Sequence, residues 1–143
     1  MNLPDANILL YAYNSDAAEH EKCREWLENQ LSGTDLVGFG WQTITAFLRI
    51  STNARAFPNP LTPTEATEIV SDWLEVPNAR ILLPAENHWT IFKNLMTVGQ
   101  IKAAMIMDAH LAALAIEHNA SLITTDSDYS RFSGLKTINP LQS

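Results

Sequence analysis

The alternation of hydrophobic and polar positions along the chain predicts helices separated by short strands. Apolar residues recur at helical spacing in four stretches, and a fifth is apolar on nearly every face, which is typical of a buried helix. The predicted helices span residues 15–31, 41–51, 63–76, 87–98 and 103–118, and the predicted strands span residues 36–39, 80–83, 121–124 and 136–138. Short strands that alternate with helices predict an α/β fold with a mostly parallel sheet.

The ends of several helices carry recognisable signals. Ser15 and Asp16 are suited to cap the first helix, and Gly33 follows its last turn. The segment 62–65 reads as a capping box with proline at the first helical position. The four tryptophans lie at helical core spacing, which predicts that they pack in the core: Trp26, Trp41, Trp73 and Trp89.

Length and composition fit one domain spanning residues 1–143, because 46% of the residues are hydrophobic. The charged fraction of 17% is too low for a disordered chain, and no apolar run is long enough to span a membrane. The first residues lack the pattern of a signal peptide. The single cysteine, Cys23, cannot form an internal disulfide. These features predict a soluble cytoplasmic protein.

The chain is acidic, with nine Lys and Arg against sixteen Asp and Glu, for a net charge of −7. A chain with this charge repels nucleic acid and anionic membranes as a whole. By itself, the net charge argues against a nucleic-acid-binding protein.

Acidic residues follow two of the strand-like segments. Asp5 comes after Leu3 and Pro4, and Asp126 and Asp128 come after residues 122–125. Ligand sites of open parallel sheets collect at the carboxyl ends of the strands, so these carboxylates are candidates for a common site. Taken singly, Asp5 can equally be a helix N-cap, and Asp126 and Asp128 can be turn or cap residues.

Asp108 is the most informative carboxylate, because its helical neighbours three and four residues away are apolar. A buried carboxylate needs a partner, yet no Lys or Arg occurs between residues 103 and 118. If Asp5, Asp108 and Asp126 converge, bound divalent metal or raised pKa values must compensate their repulsion. Oxygen ligands alone favour Mg²⁺ or Mn²⁺ over Zn²⁺.

Other catalytic patterns are weak. His20 and Cys23 have helical ligand spacing, but no second pair completes a zinc site. His88, His110 and His118 show no mutual spacing for a metal. A glycine-rich phosphate loop and a G-x-S-x-G nucleophile elbow are both missing from the sequence.

The chain resembles the PIN-domain ribonucleases, and among them the VapC-type toxins of bacterial toxin–antitoxin pairs. The similarity covers essentially the whole chain, in the family's order. It rests on Leu3-Pro4-Asp5-Ala6-Asn7 before an apolar helix, the segment 108–115, Thr125-Asp126-Ser127-Asp128-Tyr129, Gly40-Trp41, Phe47-Leu48-Arg49, Arg131-Phe132 and Asn139-Pro140-Leu141.

This resemblance implies a three-layer α/β/α sandwich and an endoribonuclease that depends on Mg²⁺ or Mn²⁺ and cuts RNA with metal-activated water. In the family's pattern Asp5, Asp108 and Asp126 are the catalytic acids and hold the metal, with Asp128 as a fourth acid. Two further positions, Asn7 and Thr125, match residues that orient ligands or substrate.

One position departs from the family pattern. Many PIN domains carry a glutamate in the helix after the second strand, at the position of Ala46 in this chain, so the number of metal ions, one or two, stays open. Arg49 and Arg131, with Arg55 and Lys102, are candidate contacts for RNA phosphates, although each can equally be an ordinary solvated side chain.

The resemblance also implies partners. Family members are usually neutralised by a small VapB-like antitoxin protein with a basic tail, and they often form homodimers. The helices 41–51 and 63–75 offer apolar surface for such contacts, with Trp73 and Leu74 prominent. Two alternatives remain: an inactive PIN fold that serves as a binding module, supported only by Ala46, and a receiver-like phosphoacceptor domain.

Overall fold

A computed structural model describes residues 1–142 and places five strands in one sheet. The strands are β1 (Asn2–Pro4), β2 (Val37–Gly40), β3 (Ala79–Leu82), β4 (Ser121–Ile123) and β5 (Lys136–Ile138). Their order is β3-β2-β1-β4-β5, and every neighbouring pair is parallel. The predicted α/β fold is therefore confirmed, and the short sheet is parallel throughout.

Six α-helices connect the strands. They are α1 (Ala6–Ala12), α2 (His20–Ser32), α3 (Trp41–Ser51), α4 (Pro63–Glu75), α5 (His88–Val98) and α6 (Ile106–Glu117). Two short 3-10 helices, Ala103–Met105 and Ser127–Arg131, precede α6 and follow β4. A βαβ crossover in a parallel sheet needs such helices on its faces.

The two faces of the sheet carry separate hydrophobic clusters. One cluster joins α1, α2, α3 and α4 to Val37, Phe39 and Ile123 of the strands. The other joins α5 and α6 to Leu3, Leu82 and Leu122. Because alternate strand residues point to opposite faces, the chain forms the three layers expected of an α/β/α sandwich.

The helix boundaries follow the capping signals in most places. Thr62 and Glu65 form the predicted reciprocal capping box at the start of α4, and Gly33 and Gly99 follow α2 and α5. The predicted start of α2 is wrong, because the helix begins at His20 rather than near Asp16. The Asn14 side chain accepts a hydrogen bond from the Asp16 N–H, and this turn delays the helix.

The tryptophan positions correct three predictions. Trp41 and Trp89 are 54% and 67% exposed, although the helical spacing predicted that both face inward. Trp41 is the first residue of α3, directly after β2 ends, and Trp89 lies in the first turn of α5. Trp73, in contrast, is 1% exposed, so it is a core residue rather than a surface for partners.

The strand order identifies where a ligand site belongs. From β1 the chain proceeds outward to β2 and β3, and then returns to add β4 on the other side of β1. The resulting crevice between β1 and β4, at their carboxyl ends, is the usual ligand position in open α/β sheets. The order also differs from the 2-1-3-4-5 order of receiver-like domains, which removes that alternative. Within residues 1–142, the helices are too short or too polar for any to cross a bilayer.

Candidate active site

A cleft opens at the carboxyl ends of β1 and β4, where the strand order reverses. Three of the predicted acids, Asp5, Asp108 and Asp126, line it. Its remaining lining residues are Ala6, Asn7, Gln42, Thr43, Ala46, Leu111 and Tyr129. We call this feature the acid cleft; its lining includes neither Lys nor Arg.

Asp5 is both a helix N-cap and a residue of the acid cleft, the two interpretations that its sequence position left open. Its Oδ1 accepts hydrogen bonds from the backbone N–H groups of Asn7, at 2.8 Å, and Ile8, at 3.2 Å, which makes Asp5 the N-cap of α1. Its Oδ2 accepts a hydrogen bond from the Thr124 hydroxyl. The carboxyl group is thereby fixed at the floor of the acid cleft.

Asp108 reaches the acid cleft from the first turn of α6, and it is only half-buried. The sequence predicted a carboxylate on an apolar face. However, Asp108 lies in the first turn of α6, which extends past the buried middle of the helix, and its neighbours Ile106 and Met107 are exposed. The Tyr129 hydroxyl donates a hydrogen bond of 3.1 Å to Asp108 Oδ1. Tyr129 is itself 5% exposed, so the surrounding core fixes the position of its ring.

Asp126 is held by the turn that follows β4. Its backbone N–H donates to Thr124 Oγ1 at 3.0 Å, and its Oδ1 accepts from the Asp128 N–H at 2.9 Å. Asp128 is exposed and lies outside the lining of the acid cleft. Its backbone carbonyl accepts a hydrogen bond from Arg131 Nε. The structure therefore groups three of the four predicted acids.

Two of the carboxyl groups in the acid cleft, those of Asp5 and Asp108, have raised pKa values. Burial raises the pKa of Asp5, although hydrogen bonds from Thr124, Ile8 and Asn7 act in the opposite direction. Burial likewise raises the pKa of Asp108, opposed by the Tyr129 hydroxyl, and the charges of Asp126 and Asp128 add to the increase. Negative charge thus accumulates in a cleft whose lining has no cation to offset it.

The oxygen donors of the acid cleft suit a hard divalent cation. Beside the carboxylates, the hydroxyl of Thr43 is buried and without a hydrogen-bond partner, which leaves it free for a ligand. No group of three or more His, Cys, Asp or Glu side chains in residues 1–142 is placed to hold a metal ion by itself. Mg²⁺ commonly binds through one or two carboxylates together with water and phosphate, so a complete protein cage is not required.

Two supporting residues escaped the sequence analysis. Thr124 contacts Asp5, and Tyr129 contacts Asp108, whereas Thr125, the residue predicted to orient ligands or substrate, does not line the acid cleft. Thr124 and Tyr129 both lie within three residues of Asp126 in the sequence, and that proximity was the only available signal. Hydroxyl side chains are common in loops, so their direction depends on the tertiary fold. Asn7 lies where it was predicted, in the lining of the acid cleft.

A contact between two histidines was also not predicted from the sequence. His88 Nε2 and His110 Nδ1 are 2.8 Å apart, although 22 residues separate them in the chain. The other ring nitrogen of His88 lies 3.4 Å from Glu117 Oε1. This cluster links α5 to α6 and is absent from the lining of the acid cleft.

In chelator, Asp5 and Asp108 are expected to make the protein more stable as the pH falls from neutral toward 3.8, the ordinary pKa of an aspartate. The pKa values of Asp5 and Asp108 are raised above the ordinary 3.8. Between the ordinary and the raised values, the folded state binds more protons than the unfolded state, so stability is lost as pH rises through the raised pKa. Urea unfolding across this range measures the effect. Asp108→Asn should make the dependence shallower, and an unchanged dependence would contradict the explanation.

Comparison with known proteins agrees with this geometry. The family model described as PIN domain matches residues 3–135. Ribonuclease VapC37 of Mycobacterium tuberculosis is 42% identical over 140 residues, which cover 98% of this chain and 97% of that protein. VapC ribonuclease Mb2897 of Mycobacterium bovis is 36% identical over 137 residues, covering 96% and 93%.

Solved structures share the fold at lower sequence identity. VapBC2 from Rickettsia felis, bound to a DNA fragment from its promoter, matches with a TM-score of 0.70 at 15% identity, over 96% of this chain and 97% of that chain. A toxin-antitoxin complex from Klebsiella pneumoniae matches with a TM-score of 0.67 at 16% identity, over 98% of both chains. The family match spans almost the full length and agrees with the sheet order and the acid cleft: the chain belongs to the PIN domain family.

Proposed function

We propose that this protein is an endoribonuclease that uses Mg²⁺ or Mn²⁺ at the acid cleft, and that it is the toxin of a cytoplasmic toxin–antitoxin pair. The observation that carries the proposal is the grouping of Asp5, Asp108 and Asp126 at the crevice between β1 and β4. Full-length relatives that are named ribonucleases support RNA as the substrate.

Asp5, Asp108 and Asp126 would hold the cation, and the exposed Asp128 would add charge from outside the cleft. A bound divalent cation lowers the pKa of water and offsets negative charge that develops on a reacting phosphate. Without a bound cation, the carboxylates would repel the anionic RNA backbone from the cleft. RNA binding at the proposed site therefore depends on a bound cation.

The supporting hydroxyls would keep the carboxylates in place. Thr124 contacts both Asp5 and Asp126, so one side chain ties the ends of β1 and β4 together. Tyr129 would orient Asp108 through its hydroxyl group. Loss of a group that orients a metal ligand in this way typically costs about 10- to 100-fold in metal affinity or activity.

The chemical nature of the RNA ends tests the proposal. Attack by water on the phosphodiester leaves a terminal phosphate monoester and a free hydroxyl, whereas attack by the neighbouring ribose hydroxyl leaves a cyclic phosphate. We expect no cyclic phosphate when the products made with Mg²⁺ or Mn²⁺ are separated by mass. Cyclic phosphate ends, or an absence of cleavage on any RNA tested, would reject the mechanism.

Tyr129→Phe is expected to reduce cleavage or metal affinity roughly 10- to 100-fold, because it removes the hydroxyl that orients Asp108. The ring still fills its place beside Phe132, so the urea midpoint should change little. Steady-state cleavage against metal concentration measures the effect. Tyr11→Phe is the matched control, since Tyr11 does not line the acid cleft. Equal behaviour of the two variants would argue against a role for Tyr129.

A small basic antitoxin is the proposed partner, and its attraction follows from charge. The chain carries sixteen acidic against nine basic residues, and the acid cleft adds a local concentration of carboxylates. A basic segment therefore gains Coulomb energy by entering the cleft, where it competes with metal and RNA. A homodimer, implied by the family resemblance, stays a prediction for measurement of the mass in solution.

A further inference from the structure

A second groove adjoins the acid cleft on the surface of α3. It is lined by Gln42, Thr45, Ala46, Arg49 and Met107, and we call it the Arg49 groove. Gln42 and Ala46 line the acid cleft as well, so the two depressions share a wall. The Arg49 groove is therefore a continuation of the acid cleft.

The α3 residues of the groove share one side of the helix. Gln42, Ala46 and Arg49 are four and three positions apart, which places them in a row. The middle residue of the row is small and uncharged. A polyanion that leaves the acid cleft along this row meets no side-chain carboxylate of α3 before it reaches Arg49.

Arg49 is available for an anion. Its side chain is exposed, and none of the ion pairs formed within residues 1–142 includes it. Two other arginines are engaged: Arg24 pairs with two glutamates of α2, and Arg131 Nε donates to a backbone carbonyl. Arg49 is also the one cationic residue of the groove lining.

A hydrogen bond joins two of the residues that line the groove. Gln42 Nε2 donates to the backbone carbonyl of Met107 at 2.8 Å, which fixes the amide. The Met107 side chain lines the groove and is 55% exposed. The groove thus combines an apolar side chain and a guanidinium.

We propose that the Arg49 groove binds the RNA nucleotide next to the one whose phosphate is cut, a proposal that rests on the proposed function. Arg49 pairs with the phosphate of that nucleotide, and Met107 packs against its base. RNA is favoured over a protein as occupant because the groove continues the acid cleft and its single charge is positive. Each part recognises the backbone or a base face, so the subsite contributes affinity more than sequence preference.

Binding of a labelled RNA by proteins that also carry Asp108→Asn, which should cleave too slowly to consume the RNA, tests the proposal by fluorescence anisotropy at several salt concentrations. Arg49→Gln should weaken binding several-fold and reduce the slope of log K against log salt by about 0.7, the value for one phosphate contact on a single strand. Arg80→Gln is the control, because Arg80 bonds to the carbonyls of Pro77 and Ala79 on the edge strand β3. It should bind like the protein with Asp108→Asn alone.

Steady-state cleavage separates this proposal from the proposed function. Arg49→Gln should raise KM several-fold with little change in kcat, since the contact binds substrate and transition state alike. If the wild type cleaves RNA and Arg49→Gln leaves both KM and the salt slope unchanged, the groove proposal alone is overturned. A wild type that cleaves no RNA overturns both. If Arg49→Gln changes only the sedimentation coefficient, the occupant is a second copy and the proposal is wrong.

Discussion

Asp108→Asn is expected to lower RNA cleavage by at least about 10³-fold, because it removes a carboxylate from the proposed cation site and so forfeits several kcal/mol of transition-state stabilisation. The fold should persist, since Asp108 is half-buried and since burial, together with the charges of Asp126 and Asp128, raises the pKa of its carboxyl group and so disfavours the ionised form in the folded state. In chelator the variant should be at least as stable as the wild type. Cleavage rates and urea unfolding, measured on the same preparations, give both quantities.

The control for this variant is Asp72→Asn, which makes the same chemical change on the exposed side of α4. Asp72 does not line the acid cleft, so its cleavage rate should equal that of the wild type. If Asp108→Asn cleaves RNA as fast as Asp72→Asn, the acid cleft is not the catalytic centre.

Trp73→Ala is expected to destabilise the fold by about 3–5 kcal/mol, the range for truncating a buried aromatic residue. Trp73 stacks on Phe39 at a centroid distance of 5.5 Å, packs edge-on against Phe47 at 4.7 Å, and donates from Nε1 to the Tyr13 hydroxyl. These contacts join α4 to β2 and to α3, the helix that supplies Gln42 and Thr43 to the acid cleft. A loss of this size is a large part of the roughly 5–15 kcal/mol that holds a typical domain together.

Urea unfolding of Trp73→Ala beside Trp89→Ala measures this effect. Trp89 is 67% exposed, so its truncation should change stability by about 0.5 kcal/mol or less. Similar losses in the two variants would mean that the packing around Trp73 contributes less than its burial indicates.

Most elements of the fold could be predicted because they carry local signals, although the short β1 and α1 are missing from the predicted spans. The capping box at Thr62 and the glycines after α2 and α5 act through their own backbone neighbours, and they place helix ends correctly. Trp41 and Trp89 could not be placed, since helical spacing identifies a face but not what covers it. Both occupy first turns, where the helix extends past its packing partners.

The acids of the candidate site could be predicted in the same way, because their positions after strands and on an apolar helix are visible in the sequence. The hydroxyls of Thr124, Tyr129 and Thr43 could not, since a hydroxyl has no preferred sequence context at a site. Net charge was also misleading as a guide to the substrate. Several of the acids are collected in the acid cleft, where a cation changes what the surface attracts.

Cleavage of end-labelled RNA before and after removal of divalent cations tests the central claim most directly. Wild-type protein dialysed against chelator should leave the RNA intact, and addition of Mg²⁺ or Mn²⁺ should restore cleavage in the wild type but not in Asp108→Asn. Cleavage at full rate in excess chelator, or equal restoration in the variant, would contradict the assignment of a cation-dependent nuclease to the acid cleft.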